Sequence, residues 1–589
     1  MGFDTLILGG TVIDGTGAPA RRADVGIADG KIAAIGNLSG AEAAQIIDAA
    51  GKTVTPGFIE MHSHADQTVL GYPTMDSMLH QGITTFVGCM CGQSIAPIGK
   101  YYLANQAMRD VFDELTPKLY ADMYNEDYYA LSEEAIPLIR KHCHFDPSWH
   151  TFHEWLDTVD AHGLSGNMVT VLGYSTIRMN VMGGPDGART PTEEEKAALK
   201  EHIHEAMDAG SFGMSVGLDY EPGIFSDTRE LLEMSHELKA DDGILFAHWR
   251  KTGPRVGTPK RQKKIDGIIE ILEIGLQNDI QVEISHLSKG YDLYPANDDF
   301  LQRAASLRTL QVIDDYIARG VRAGFDVIPN FTGGTMIAPD LITLFRPWYK
   351  FTGGITLFLH NLTKRDYRKQ IKDAIYGGTY YILNPKVQPE WEEEIRIMRC
   401  ADKKYEGKTA KQVGAMMGKE TLEALFDLLL LDCRTQIFRA VHDANTESVK
   451  VFVGHPKATL GNDTFVFSTD STVAYDPESP GNKPNPNTYC GFIKFLTELG
   501  GEDRAQMIYK LTGRPAELLH LTKRGTLAVG KQADILVIDW DHLKTNENVL
   551  DPVVYPEGIE QVLVNGTAVI RDGRHTGALP GGVIRRQDR

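Results

Sequence analysis

The chain is 589 residues long, with 42% apolar and 24% charged residues and a formal net charge of -19. That is more than one ordinary domain, with the composition of a soluble globular protein and no disorder-prone bias. The acidic balance excludes nucleic acid and anionic membrane surfaces as expected partners, because the Lys and Arg excess that neutralises phosphate is missing. No stretch approaches the roughly 20 apolar residues that span a bilayer. Met1–Gly10 lacks a basic n-region, so no signal peptide is expected. Six cysteines (Cys89, Cys91, Cys143, Cys400, Cys433, Cys490) in so long a chain do not suggest a disulfide framework. A cytoplasmic protein with reduced thiols is the expectation.

Residues 1 to about 57 read as short strands divided by turns, with Asp29-Gly30 as a hairpin pair between Ala23–Ile27 and Lys31–Gly36. The C-terminal end reads alike, with Ala533–Ile538, Gln561–Val564 and Ala568–Arg571 separated by Asn565-Gly566 and followed by Asp572-Gly573. Two all-β ends around an alternating middle predict a small β-sandwich built from both termini, residues 1–57 and 511–589. Between them, eight candidate strands are Phe58–His62, Thr84–Val87, Met168–Leu172, Phe212–Val216, Ile244–His248, Val282–His286, Gly324–Ile328 and Phe465–Asp470. Helical patterns such as Thr192–Ala209 and Thr228–Lys239 lie between them. Eight βα units predict an α/β chain with a TIM (β/α)8 barrel over 58–510 and chemistry at the C-terminal strand ends. The gap before the last strand is too long for one βα unit. It predicts an inserted helical subdomain at about 333–450, with helices over Glu390–Ala401, Thr409–Met417 and Thr421–Leu431.

Metal-ligating residue types collect at those strand ends. His62 and His64 are two apart, so on an extended strand they share a face, and two converging imidazoles can hold a transition metal. Cys89 and Cys91 follow the second strand with the same spacing, and either could supply a thiolate. His248 ends the fifth strand, His286 the sixth and Asp470 the eighth. Nitrogen, sulfur and oxygen donors together favour zinc.

With these residues in place the sequence resembles the amidohydrolase superfamily and, within it, the D-aminoacylase (N-acyl-D-amino-acid deacylase) family, nearly end to end. The likeness is carried by the strand ends and by Thr84-Thr85-Phe86-Val87-Gly88-Cys89-Met90-Cys91-Gly92-Gln93-Ser94-Ile95-Ala96-Pro97. Further stretches are Gly213–Gly223, Gly513–Glu517, Gly525–Gly530 and Tyr555–Glu560. The resemblance implies that Cys91, not Cys89, joins His248 and His286 around a tight Zn2+. It also implies a weaker second site at His62 and His64, with Asp470 as catalytic acid/base. The implied activity is hydrolysis of a non-peptide C–N amide bond, deacylating N-acyl-D-amino acids or related N-acyl amides. A cyclic-amide hydrolase or an N-substituted formamide deformylase would use the same centre. A metal-free scaffold is opposed by the full set of ligand types. The partner is a small-molecule N-acyl amide; homo-oligomerisation is left open.

Several side chains depart from the family pattern. Asn487 stands where an arginine is usual, and asparagine cannot clamp a carboxylate bidentately. Ser288 stands where a lysine is common, with Lys289 one place further, and Tyr174 replaces a common histidine. Asp219 and Tyr220 lie in the Gly-Leu-x-Tyr segment near the predicted mouth. Either Lys289 or Arg250 binds a substrate carboxylate, or Asp219 marks an amide without one, or Asp219 pairs with a neighbouring base.

Overall fold

Local sequence explains most elements. The computed structural model describes residues 2–98, 148–182, 189–219, 222–251, 263–291, 293, 298–330, 340–377, 383, 385, 390–439, 444–468 and 484–589. In α1 (Glu193–Ala209), Thr192 and Glu195 form a reciprocal capping box and three glutamates occupy the first turn, favouring the helix N-terminus. Gly210, at φ 112°, ends it in a conformation open to glycine. Leu199, Ile203, Ala206 and Met207 are buried, at the spacing of one helix face.

Eight parallel strand segments carry the centre of the α/β chain. They are β1 (Phe58–Glu60), β2 (Ile83–Gly88), β3 (Asn167–Thr170, continued by Leu172–Gly173) and β4 (Gly213–Gly217). The second half comprises β5 (Ile244–His248), β6 (Gln281–Ile284), β7 (Ala323–Val327) and β8 (Ala458–Leu460). Each pairs in parallel with its neighbour in chain order, from β1 through to β8. Met61 N donates to Leu460 O at 2.9 Å, so the chain leaving β1 lies beside β8. Almost every residue of these strands is buried, as for parallel strands covered on both faces.

The eighth strand differs from expectation. It is Ala458–Leu460, whereas 461–468 is extended chain outside any strand. The apolar alternation of Phe465-Val466-Phe467 reflects burial against the segment after β1: Val466 N donates to Thr68 Oγ1 at 3.1 Å and Phe467 N to Ser77 Oγ at 3.1 Å. A three-residue strand ended by Gly461 is too short to show a period.

The ends of the chain share a sheet. Thr53–Pro56 runs antiparallel to Ile535–Ile538, pairing Val54 with Val537, inside a seven-stranded sheet. A second, four-stranded sheet holds Phe3–Leu8, Asp24–Ala28, Lys31–Gly36 and Ala43–Asp48. Ile7, Val25, Ile27, Val54, Ile535 and Val537 fill one core between them. Asp29-Gly30 and Asn565-Gly566 each have two positive φ values (50° and 72°; 49° and 81°), the tight hairpin geometry expected of such pairs.

A separate core, with Phe345, Phe358, Leu425 and Phe426, occupies part of the stretch between β7 and β8. Ala410–Met417 and Thr421–Leu431 are helices. The expected helix over Glu390–Ala401 is instead one turn, Trp391–Glu394, followed by strand Ile395–Arg399 paired with Gln436–Arg439. Ile395 and Ile397 are buried with half-buried Arg396 between them, a period of two that the acidic run before it obscures. Among the described residues no helix is long and apolar enough to cross a membrane.

Candidate metal centre

The C-terminal ends of β1, β2, β5, β6 and β8 converge on one thiol. Cys91 Sγ lies 3.3 Å from His62 Nε2, 3.5 Å from His248 Nδ1 and 3.5 Å from His286 Nε2. Two donor sets share it, His62–His64–Cys91–Asp463 and Cys91–His248–His286, each with ligand atoms within 4.8 Å of one another. Two donors on a tetrahedral zinc, each about 2.0–2.3 Å from it, lie about 3.3–3.7 Å apart. The separations around Cys91 and the borderline-soft donors therefore fit a zinc-like ion.

Backbone conformation turns the thiol inward. Cys89, Cys91 and Gly92 all have positive φ (64°, 58° and 77°). Such a conformation costs a non-glycine residue of order 1–3 kcal/mol and persists when its surroundings over-determine it. They do here: Cys89 N donates to Asp66 Oδ1 at 2.8 Å, Ser215 Oγ donates to Cys89 O at 2.5 Å, and Gly92 N donates to Ser215 Oγ at 2.9 Å. Cys89 itself is buried outside both donor sets, and burial pushes its thiol up.

Carboxylates orient the rings. Asp326, at the end of β7, faces His62 Nδ1 at 3.3 Å and accepts His286 N at 2.7 Å. Asp219, just past β4, faces His248 Nε2 at 3.2 Å and accepts Lys251 N at 2.9 Å. The Lys251 amine contacts His286 Nδ1. His62 and His248 thus turn one nitrogen to the thiol and the other to a carboxylate, the arrangement that fixes tautomer and orientation in metal sites, whereas His286 meets a lysine donor.

Electrostatics prepare the donors unequally. Burial opposes ionisation of Cys91, yet the His62 and His248 imidazoles pull its thiol well below the usual range. Burial would lower the His62 imidazole, but Asp326, Cys91 and Asp463 hold it well above its ordinary value. Burial likewise opposes the His64 cation, while Asp463 and Cys91 raise it to about 9. Burial, with Lys251 and His248, pushes His286 down to about 4, and burial takes Lys251 to about 8.

Asp463, which sequence reasoning missed, supplies the carboxylate of the cluster. Its Oδ1 lies 3.2 Å from His64 Nε2 and 3.5 Å from His62 Nε2, and these imidazoles hold it below the usual range although burial opposes this. It sits at φ 55°, a conformation aspartate tolerates better than most residues. Asp463 N donates to His62 O at 2.9 Å and His64 N to Thr464 O at 2.9 Å, lacing the two segments together. Buried Glu60, pushed up to about 8 by burial, accepts Asn462 N at 2.9 Å from below. The available signal was Ala458-Thr459-Leu460 followed by Gly461-Asn462-Asp463, a short apolar run breaking into a carboxylate. Asp470 lies outside the described residues, as does Tyr220.

The remaining substrate-binding expectations fall differently. Arg250 Nε donates to Glu270 Oε2 at 2.7 Å and its Nη1 to Ile224 O at 3.2 Å, so its guanidinium braces a loop and a helix. Asn487 is buried, its Nδ2 donating to Asn330 O at 2.8 Å and Asn462 O at 3.2 Å, so its amide is held by backbone. Ser288 and Lys289 line a cavity of about 180 Å3 with Lys264, Ser448 and Phe452, which includes no residue of the cluster. Asp219 is occupied by His248 and Lys251, and Tyr174 donates to Glu230 Oε1 at 2.8 Å in a buried network with Arg178. Lys251, next to Arg250 in the sequence, is the base that reaches the cluster.

Comparison with known proteins gives a consistent likeness. The model of the amidohydrolase family matches residues 45–327 and 457–570. A D-aminoacylase of Alcaligenes xylosoxydans xylosoxydans is 27% identical over 99% of this chain and 98% of its own length. An N-acyl-D-aspartate deacylase of the same organism is 27% identical over 99% and 95%. A crystal structure of N-acyl-D-glutamate deacylase from Bordetella bronchiseptica, complexed with zinc and a phosphonate mimic of the tetrahedral intermediate, superposes with a TM-score of 0.69. It is 25% identical, over 99% of this chain and all of the other.

Proposed function

We propose, from the premise that the chain belongs to the amidohydrolase family and is a metal-dependent hydrolase, that it deacylates N-acyl-D-amino acids with zinc held on Cys91, His248 and His286. The observation that carries this reading is the convergence of three imidazole nitrogens on one thiolate at 3.3–3.5 Å, with the Asp463 carboxylate beside them. The relatives' N-acyl-D-amino-acid substrates support the substrate class.

Cys91, His248 and His286 form the tighter site because they stand nearer the ligand state at neutral pH. The thiolate is favoured and His286 is neutral. Burial and Lys251 oppose the His248 cation, but Cys91 and Asp219 raise it, so it has one proton to shed. His62 and His64 must both shed theirs, which makes theirs the weaker site. When bound, the ion supplies an activated water at neutral pH and polarises the amide carbonyl. Asp463 Oδ1 accepts the proton of the attacking water and returns it to the leaving nitrogen. Asp470, expected in this role, lies outside the described residues, and Asp463 is the carboxylate that the described residues set beside the cluster. Lys251 meets the substrate carboxylate: with an ion on His286 Nε2, Nδ1 carries hydrogen and faces the lysine donor, so the ammonium turns away toward the mouth.

In this reading the parallel strands close as an eight-stranded TIM barrel over 58–510, supported by the Met61–Leu460 bond. The sandwich would comprise 1–57 and 511–589, with the insertion at about 333–450. A cytoplasmic location agrees with the free cysteines among the described residues. The test is hydrolysis of paired N-acetyl-D- and N-acetyl-L-amino acids by zinc-loaded enzyme. Turnover of the D-series supports the proposal; turnover only of cyclic amides or formamides replaces it.

A further inference from the structure

We infer that Asp219 is a positioning residue of the metal centre, fixing His248 by its ring and by the backbone that follows it; this rests on the zinc reading above. The sequence left Asp219 as the mark of a different amide or as the partner of a neighbouring base, and the geometry sets it against two bases, His248 and Lys251. Its Oδ2 faces His248 Nε2 at 3.2 Å, and the other nitrogen of that ring faces Cys91 Sγ at 3.5 Å. A neutral imidazole that offers its Nδ1 lone pair to an ion carries hydrogen on Nε2. An acceptor-only carboxylate there selects that tautomer and holds the ring plane.

The second oxygen extends the hold. Oδ1 accepts Lys251 N at 2.9 Å, anchoring the backbone three residues beyond His248, and the Lys251 amine reaches His286 Nδ1. One carboxylate on the β4 loop therefore holds the tip of β5 at two points, the His248 ring and the Lys251 backbone. Asp326 does the same on the opposite side, holding the His62 ring at 3.3 Å and the His286 backbone at 2.7 Å. Two carboxylates, from the ends of β4 and β7, so frame the ligands that β5 and β6 carry between them. Asp219 is nearly buried, with a side-chain exposure of 9%, so its contacts are little weakened by solvent.

The test is zinc affinity, measured by competition with a chromophoric chelator on folded protein, together with the Co2+ absorption spectrum of the substituted enzyme. Asp219→Ala should weaken the tight site by about 10–100-fold and shift the cobalt bands. Asp219→Asn keeps one acceptor oxygen and should fall between Ala and the wild type; it decides the matter if the alanine variant fails to fold. Affinity within about threefold of wild type in the folded variants, with an unchanged cobalt spectrum, would overturn the inference. So would unchanged affinity with a raised KM, which would make Asp219 a substrate contact. A wild-type protein that takes up no zinc would instead sink the zinc reading, so the two failures are distinguishable.

Discussion

Asp463 Oδ1 stands 3.2 Å from His64 Nε2, joining the segment that leaves β8 to the one that leaves β1. The contact brings a carboxylate and an imidazole into one buried cluster, where the proposed mechanism needs a proton taken up and returned.

Replacing Asp463 by Asn removes the proton acceptor while keeping size and one hydrogen-bonding oxygen. The expected outcome is a fall in kcat of about 10²–10⁴-fold with zinc still bound at the Cys91 set. Steady-state kinetics with metal analysis checks it. An Asp470→Asn variant that loses the activity while Asp463→Asn keeps it would return the role to Asp470.

Cys91 is common to both donor sets, so Cys91→Ala should empty the tight site and weaken the other. Zinc stoichiometry after dialysis is the readout. Cys89→Ala, by contrast, removes a buried thiol outside both sets and should retain zinc, at a cost in thermal stability.

Metal loading should depend on pH in two different ways. His64, raised to about 9, and His62, raised well above its usual value, are protonated in the metal-free cluster at neutral pH, so an ion must displace their protons. The second equivalent should therefore bind more weakly as pH falls from about 9. In the first set His286, at about 4, is already neutral there, and only the raised His248 imidazole adds a dependence of its own. Calorimetric titrations at pH 7 and 9 should reveal a steeper change for the second event.

Away from the centre, Arg178 is fully buried with its Nε donating to Glu230 Oε1 at 2.8 Å, where Tyr174 and Ser226 also donate. Arg178→Met leaves the Glu230 carboxylate without its cation and should destabilise the fold by about 3–5 kcal/mol. Thermal denaturation measures it, and zinc content of the folded fraction should stay the same.

What the sequence disclosed depended on how local the signal was. His62, His64, His248 and His286 follow apolar runs and could be seen, and capping residues such as Thr192 marked helix starts. The eighth strand was missed because three residues ended by a glycine show no period, and a later apolar stretch buried for other reasons imitated it. Asp463 was lost with it. The strand at Ile395–Arg399 was hidden by the helix-favouring acids of Trp391–Glu394. The occupations of Arg250 and Asn487 were invisible, since each is set by partners elsewhere along the chain, whereas the pairing of Asp219 with a base was among the readings open to the sequence.

The most direct test of the account is hydrolysis of N-acetyl-D-amino acids by one preparation before chelation, after exhaustive chelation, and after zinc is restored. Loss of D-specific turnover with the metal, and its return with one equivalent of zinc in wild type but not in Cys91→Ala, is the predicted result. Full activity in the chelated protein would contradict it.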